Sequence, residues 1–120
     1  MAEIKNYREL VVWKRSMELV VEVYGLVKHL PKEETYALSS QMRRSVVSIP
    51  SNIAEGNGRG TTRDYAHFLA MARGSKYELE TQLLICVELH YLTNEQIEKA
   101  MKLSDEIGRM LNTIITKLGE

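Results

Sequence analysis

Residues 41–56 read QMRRSVVSIPSNIAEG, and whether this stretch is a helix decides the fold. Met42, Val46, Ile49 and Ile53 recur at steps of three and four, with Leu38 one turn earlier, which is the period of one helix face. Against that reading stands Pro50. It removes one backbone hydrogen bond and pushes its ring toward the carbonyl of Val46, at about 3 kcal/mol or more in a helix interior. The hydroxyls of Ser45, Ser48 and Ser51 are close enough in sequence to satisfy freed carbonyl groups. The spacing therefore predicts a helix kinked at Pro50, starting between Thr35 and Ser39 and terminated by Gly56. Beside the apolar stripe, Gln41, Ser45, Ser48, Asn52 and Glu55 fall at steps of four and three and form a polar one. Such a stripe is either a hydrogen-bonded network, or simply a wet face, that fixes helix register, or a surface for a ligand, pore or partner.

Upstream, Leu10, Trp13, Met17, Val20, Tyr24 and Val27 form one helical stripe, and Val12, Leu19, Val23, Leu26 and Leu30 form a second beside it. From Leu10 to Leu30, 13 of 21 residues are apolar, against 44% for the chain. A bundle helix needs only about three in seven, so the excess calls for burial by something else, and a second copy of the chain is the simplest candidate. Val12, Trp13, Leu19, Val23 and Leu26 are the interface residues this predicts. Pro31 ends the helix.

Downstream, the GNGRG loop leads to Thr61 and Thr62, either of which can cap a third helix running to about Leu92; Thr61 with Asp64 resembles a capping box. The buried side of this helix is predicted at Tyr65, Phe68, Ala72, Ser75, Leu79 and Cys86, with Leu69, Leu83 and Val87 beside it. Thr93 with Gln96 is a capping box for a fourth helix, where Ile97, Met101, Ser104, Ile107, Leu111, Ile114 and Leu118 give a near-heptad seam. Short loops make successive helices antiparallel. The expectation is one all-α domain over residues 1–120, an up-down-up-down four-helix bundle with rods of about 35 Å.

Composition narrows the function classes. Sixteen basic residues balance 16 acidic ones, which argues against a generally basic nucleic-acid coat and against a polyanionic tail. The single cysteine, Cys86, has no internal disulfide partner and fits a reducing cytoplasm. The opening MAEIKNYREL has no leader-like apolar core, and no run approaches the roughly 18 apolar residues of a membrane helix. A soluble cytoplasmic protein is expected, with no membrane association.

Three blocks, LVVWKRSMELV, LPKEETYALSSQMRRSVVSIPSNIAEG and FLAMARGSKYELETQL, resemble the signatures of one family. It is the four-helix-bundle family encoded in intervening sequences of bacterial large-subunit ribosomal RNA genes, also labelled ribosomal-protein-like. The similarity runs from about Leu10 to Leu92, and Gln41, Arg43, Arg44, Ser48, Pro50, Asn52, Ile53, Ala54, Glu55 and Gly56 in that order are its most specific part. The resemblance implies a bundle that assembles into a ring-like homopentamer. One branch, the accessory variability determinant of diversity-generating retroelements, associates with a reverse transcriptase and binds nucleic acid through a basic surface. The partners so implied are further copies of the chain, and RNA or a reverse-transcriptase-like protein. No catalytic residues come with the family, and no cofactor.

From Leu38 to Arg63 four arginines, Arg43, Arg44, Arg59 and Arg63, stand against one acid, Glu55. Repeated around a ring they would make a basic belt for a phosphate backbone; the alternative is ion pairing within or between subunits, for instance with Glu78 or Glu80. Gly56, Gly58 and Gly60 before a helix suggest a phosphate cradle, but the pattern matches neither the dinucleotide nor the P-loop motif and no strand precedes it. Asp64 and His67 share a face, yet a di-iron bundle needs two Glu-x-x-His pairs, and Arg63 with His67 has the wrong gap for a helical ribonuclease. Cys86 reads as a small core residue, and Gly74 beside Ser75 as a place where another helix comes close. The function expected is a non-enzymatic homo-oligomeric binding module. The alternatives are a purely structural oligomer without nucleic-acid affinity and a metal-dependent or ribonuclease bundle enzyme.

Overall fold

The structure, a computed structural model, describes residues 6–120; residues 1–5, half of the stretch read above for a leader, lie outside it. Four helices carry the fold: α1 (Val11–Val27), α2 (Leu38–Gly58), α3 (Thr62–Glu88) and α4 (Asn94–Leu118). Short 3-10 turns, Tyr7–Glu9 and Lys32–Glu34, precede α1 and α2. Among the described residues α1 packs on α2, α2 on α3, α3 on α4 and α4 on α1, with no diagonal pair, so the rods stand at the corners of a square. Neighbours run antiparallel: Arg15 meets Glu106 while Glu22 meets Lys99, and Glu80 meets Ser104 while Arg73 meets Asn112. The molecule measures 52 × 24 × 20 Å.

The expected bundle is therefore the observed one, and the second-helix stripe is in place. Met42, Val46, Ile49 and Ile53 are fully buried, facing Leu69, Leu79 and Leu83 of α3 and Ile107 and Leu111 of α4 in a single core. The caps are also where the sequence puts them. The Thr61 hydroxyl accepts from the Asp64 amide at 3.1 Å, and Thr93 and Gln96 cap each other reciprocally at 3.1 and 2.8 Å. Each satisfies amides that a helix start would leave without partners.

Four expectations need correction. First, α2 runs through Gly56 and ends two residues later. Gly56 is buried because a side chain there would not fit: an added Cβ would come within 2.6 Å of the Phe68 Cβ. It is a point of close contact between α2 and α3, not a terminator. Second, the serine hydroxyls do not serve the carbonyl freed by Pro50. Ser45 donates toward Met42 and Gln82, Ser48 to the Ser45 carbonyl and Ser51 to the Val47 carbonyl, so the Val46 carbonyl is not among their acceptors, although α2 continues as one helix across Pro50. Third, a Cβ at Gly74 would meet nothing within 4 Å, so no helix of this chain approaches there.

The fourth correction concerns α1. Val12, Leu19, Val23 and Leu26 lie in the chain's own core, and Trp13 is half-buried against it with its ring edge-on to Tyr7 at 5.4 Å. These residues are used up inside one subunit. The stripe they form includes Ser16, fully buried because its hydroxyl returns to the Val12 carbonyl at 2.7 Å. A helical serine that bonds its own backbone four residues back carries no unmet polarity into a core, so Ser16 is tolerated on the inward stripe; of the second stripe Val27 is buried as well and Leu10, Trp13 and Val20 pack against the core, while Met17 and Tyr24 are exposed.

At the far end of α3 the chain turns with a residue in the left-handed region: His90 has φ 62°. The Tyr91 amide donates to the Cys86 carbonyl at 2.9 Å and the His90 amide to Val87 at 3.0 Å, the double bond pattern that usually places glycine at this position. Cys86 itself is fully buried, with its sulfur 3.6 Å from that of Met42. Burial, with the Glu34 carboxylate adding to it, pushes its thiol up to about 11.

Three outcomes follow from this packing. Gly56→Ala forces α2 off α3 and destabilises the bundle by about 1–3 kcal/mol, measured by urea unfolding. His90→Gly relieves the left-handed side chain and stabilises by about 1 kcal/mol, raising the melting temperature by about 4 °C for a domain of this size. At pH 8 a thiol of pKa near 11 is roughly one part in a thousand thiolate, so Cys86 is alkylated by iodoacetamide only after unfolding; labelling of the native chain at the rate of a free thiol would contradict its burial.

Candidate functional site

The four arginines predicted as one basic zone are separated by the length of α2. Arg43 and Arg44 lie near its start and Arg59 just beyond its end, about 23 Å away at 1.5 Å per residue. Arg59 is also engaged: it pairs with Glu55 at 3.0 Å and lies over the Phe68 ring at 4.8 Å. Arg63 is exposed in the first turn of α3. The charge therefore divides between two ends of the bundle, and Glu55 is spent on Arg59.

At the α1–α2 end the structure adds two cations that counting along α2 misses. The turn after α1 brings Lys28 and Lys32 around a groove shared with Tyr24, Thr35, Ser39 and Arg43, and Arg43 itself donates to the Thr35 carbonyl at 3.3 Å. Among the described residues none of Lys28, Lys32, Arg43 and Arg44 has a carboxylate within 4.0 Å. The nearby Glu34 is occupied: one of its oxygens accepts from the Tyr91 hydroxyl at 2.8 Å and the other from the Leu38 amide at 3.3 Å. That hydroxyl bond raises the Tyr91 pKa, since it is made only by the protonated phenol. Tyr36, 96% exposed, stands in the same turn.

The polar stripe of α2 does not form one connected network. Ser45 is buried and donates to Gln82 of α3 at 2.7 Å, while Ser48 and the Asn52 amide donate to carbonyls of α2 itself, at 2.7 and 2.8 Å; Gln41 and Glu55 are exposed. One interhelical bond, Ser45–Gln82, thus ties α2 to α3. A second buried polar group went unread in the sequence. Lys76 of α3 is buried, reaches Glu80 at 2.8 Å and lies against Gly108, where a Cβ would come within 2.5 Å of its Cε; Ser104 of α4 donates to the same Glu80 oxygen. Glu80 is therefore not available to the arginines, whereas Glu78 is exposed.

Apolar side chains also reach solvent; besides Val11, Tyr36, Met71, Ile85 and Leu89, two sets lie on opposite edges of the square. On the α1–α2 edge they are Met17, Val21, Tyr24 and Val47, with Val21 74% exposed; on the α3–α4 edge they include Tyr77 and Leu84, with Met101 half-buried beside them. The remaining candidates stay apart. Gly56 and Gly58 lie within α2 and only Gly60, at φ 88°, is in the turn, so no glycine cradle forms. His67 packs edge-on to Phe68 at 5.8 Å. Among the described residues no group of three or more His, Cys, Asp or Glu side chains is placed to hold a metal ion, and no helix is long and apolar enough to cross a membrane.

Comparison with known proteins agrees with this architecture. The chain is similar, at 33% identity and a TM-score of 0.80, to the crystal structure of a protein of unknown function from the S23 ribosomal protein family of Bacteroides thetaiotaomicron; the match covers 88% of this chain and 98% of that one. No curated protein matches. The sequence pattern of the 23S rRNA-intervening sequence proteins matches residues 8–113, which takes in all of α1 to α3 and most of α4, and the chain belongs to the 23S rRNA-intervening sequence protein family.

Proposed function

We propose that this protein is a non-enzymatic, cytoplasmic, homo-oligomeric assembly module whose partner is RNA or a nucleic-acid enzyme such as a reverse transcriptase. The observation that carries the oligomer is the pair of exposed apolar edges on opposite sides of the bundle. A monomer gains nothing from holding Val21 and Leu84 in water, and contiguous patches of this kind mark protein contacts. Two unlike patches suit a cyclic arrangement in which each copy offers one edge and receives the other. The homopentamer implied by the family resemblance is one such closed ring.

The interface residues of this reading are not those expected from the sequence. Met17, Val21, Tyr24 and Val47 replace Val12, Leu19, Val23 and Leu26, which the core has already taken. With the edges occupied by neighbouring copies, the bundle ends stay open. The cationic end, Lys28, Lys32 and Arg43 beside the exposed Tyr36, then repeats around the ring. Cations with no ion-pair partner among the described residues, in the same turn as an exposed aromatic ring, suit a single-stranded phosphate backbone with a stacked base.

Sedimentation equilibrium at micromolar concentration tests the assembly: a ring gives a multiple of the 13.8 kDa chain mass, and a clean monomer defeats the proposal. RNA binding is expected at about 50 mM salt and weakens steeply on raising it. Lys32→Glu/Arg43→Glu lowers the affinity and reduces the slope of log K against log salt by roughly 1.4, two single-strand contacts at about 0.7 each. An intact oligomer that binds no RNA even at low salt is the purely structural alternative.

A further inference from the structure

The groove at the cationic end has a polar floor as well as a charged rim. Four serines are buried among the described residues. Ser16 donates to the Val12 carbonyl, Ser45 to Gln82 and Ser104 to Glu80. The fourth, Ser39, is only 4% exposed, yet its hydroxyl has no hydrogen-bond partner among the described residues. A helical serine ordinarily reaches the carbonyl four residues back; here that carbonyl belongs to Thr35 and already accepts from Arg43 at 3.3 Å. No fully enclosed side-chain nitrogen or oxygen of the described residues lacks a partner. The Ser39 hydroxyl is therefore not sealed in the core but opens into the groove, which Ser39 lines together with Thr35 and Arg43.

Ser39 is also the second residue of α2, a helix that starts at Ala37 without a side-chain cap, whereas α3 and α4 are capped by Thr61 and Thr93. Glu34 meets the Leu38 amide at 3.3 Å; the amides of Ser39 and Ser40 have no acceptor among the described residues. Such amides carry the partial positive charge of a helix start. An open helix N-terminus, an unpartnered hydroxyl and the cations Lys28, Lys32 and Arg43 thus converge on one groove, and no carboxylate lines it.

We propose that this groove is a site for a phosphomonoester, supplied by the end of an RNA strand, with Ser39 and Arg43 holding the phosphate at the floor and Lys28 and Lys32 closing over it. This rests on the RNA reading above and names the part of the strand that the cationic end holds. Depth selects the end of the strand. Ser39 lies beside Val27 and Leu30, 8 and 9% exposed, so a phosphate reaches its hydroxyl only by entering end-on. A phosphodiester inside a strand has chain leaving on both sides and stays at the rim, with the exposed Lys28 and Lys32. A monoester carries a charge of about −1.5 to −2 at pH 7 and three acceptor oxygens, enough to engage the hydroxyl, the guanidinium and the lysines together.

The test uses three RNA oligonucleotides of one sequence and one internal dye, ending in a 5′-phosphate, a 3′-phosphate or hydroxyls at both ends. Each is titrated by fluorescence anisotropy at about 50 mM salt, and inorganic phosphate and AMP are titrated separately by calorimetry. One phosphorylated strand is expected to bind about tenfold more tightly than the hydroxyl-ended one, the worth of a hydrogen bond to a charged group. Ser39→Ala is expected to abolish that preference and leave the hydroxyl-ended strand's affinity unchanged, while Lys32→Gln weakens all three strands. Ser39→Cys replaces Ser39→Ala should the latter lack a cooperative thermal transition. Equal affinity for the three strands, or a preference that survives loss of the hydroxyl, overturns the proposal and leaves the RNA reading standing. Binding of inorganic phosphate or AMP that depends on Ser39, with no RNA binding, keeps the phosphate site and removes the RNA reading. A protein that binds none of these probes removes both.

Discussion

Everything in this structure depends on the limited width of the core. Four helices at the corners of a square can each turn one stripe inward, and the space between them is filled by Leu19, Met42, Ile49, Leu79, Leu83, Ile107 and their neighbours, all fully buried. Nothing more fits. α1 carries more apolar residues than one inward face can hold, so with Val12, Leu19 and Val23 inside, Met17, Val21 and Tyr24 remain outside. At about 25 cal/mol per Å² of apolar surface withdrawn from water, the displaced stripe is a standing incentive for another surface to cover it. The outer face of α1 is thus a consequence of how the inner one was filled.

What the sequence disclosed follows the same logic. α2 was legible because its stripe is free of ambiguity: Met42, Val46, Ile49 and Ile53 have no competing apolar neighbours at helical spacing except Val47, and all four are buried. The caps at Thr61 and Thr93 were legible because their partners are three residues away. α1 was misread at its interface because the inward stripe contains Ser16, whose hydroxyl is satisfied four residues back, and polarity alone cannot show that. Lys76 and Gln82 went unread for a related reason. Lys76 has Glu80 four residues along its own helix, but its burial also depends on Ser104 and Gly108 of α4, and that of Gln82 on Ser45 of α2; such partners on other helices leave no trace in local periodicity.

The glycines show how spacing can identify a residue and still miss its purpose. Gly56 reads as a helix end and is instead a point of contact, with Phe68 where its side chain would be. Gly74 reads as a point of contact and has none within the chain. Both are helix-interior glycines, so both carry the same propensity cost of about 1 kcal/mol relative to alanine; only the helix opposite tells them apart. Gly108 is a third case, since the surface it leaves bare is what lets Lys76 lie flat and reach Glu80.

Polar contacts in the core are few and specific, and this bears on why the bundle takes one arrangement. Apolar stripes slide past each other by a turn at modest cost, whereas a buried donor left without its acceptor costs about 1–3 kcal/mol, and more if charged. Ser45–Gln82 fixes α2 against α3, and Lys76–Glu80–Ser104 fixes α3 against α4. A shift of α2 on α3 by one turn would strand Gln82 in the interior, and a shift of α4 on α3 would part Ser104 from Glu80. With α2, α3 and α4 held in that register, the outward residues are held too. Arg44 and Val47 stay side by side on α2, and Leu84 and Met101 on the α3–α4 edge. The interior polar groups therefore set the pattern that any neighbouring molecule meets, although none of them touches it.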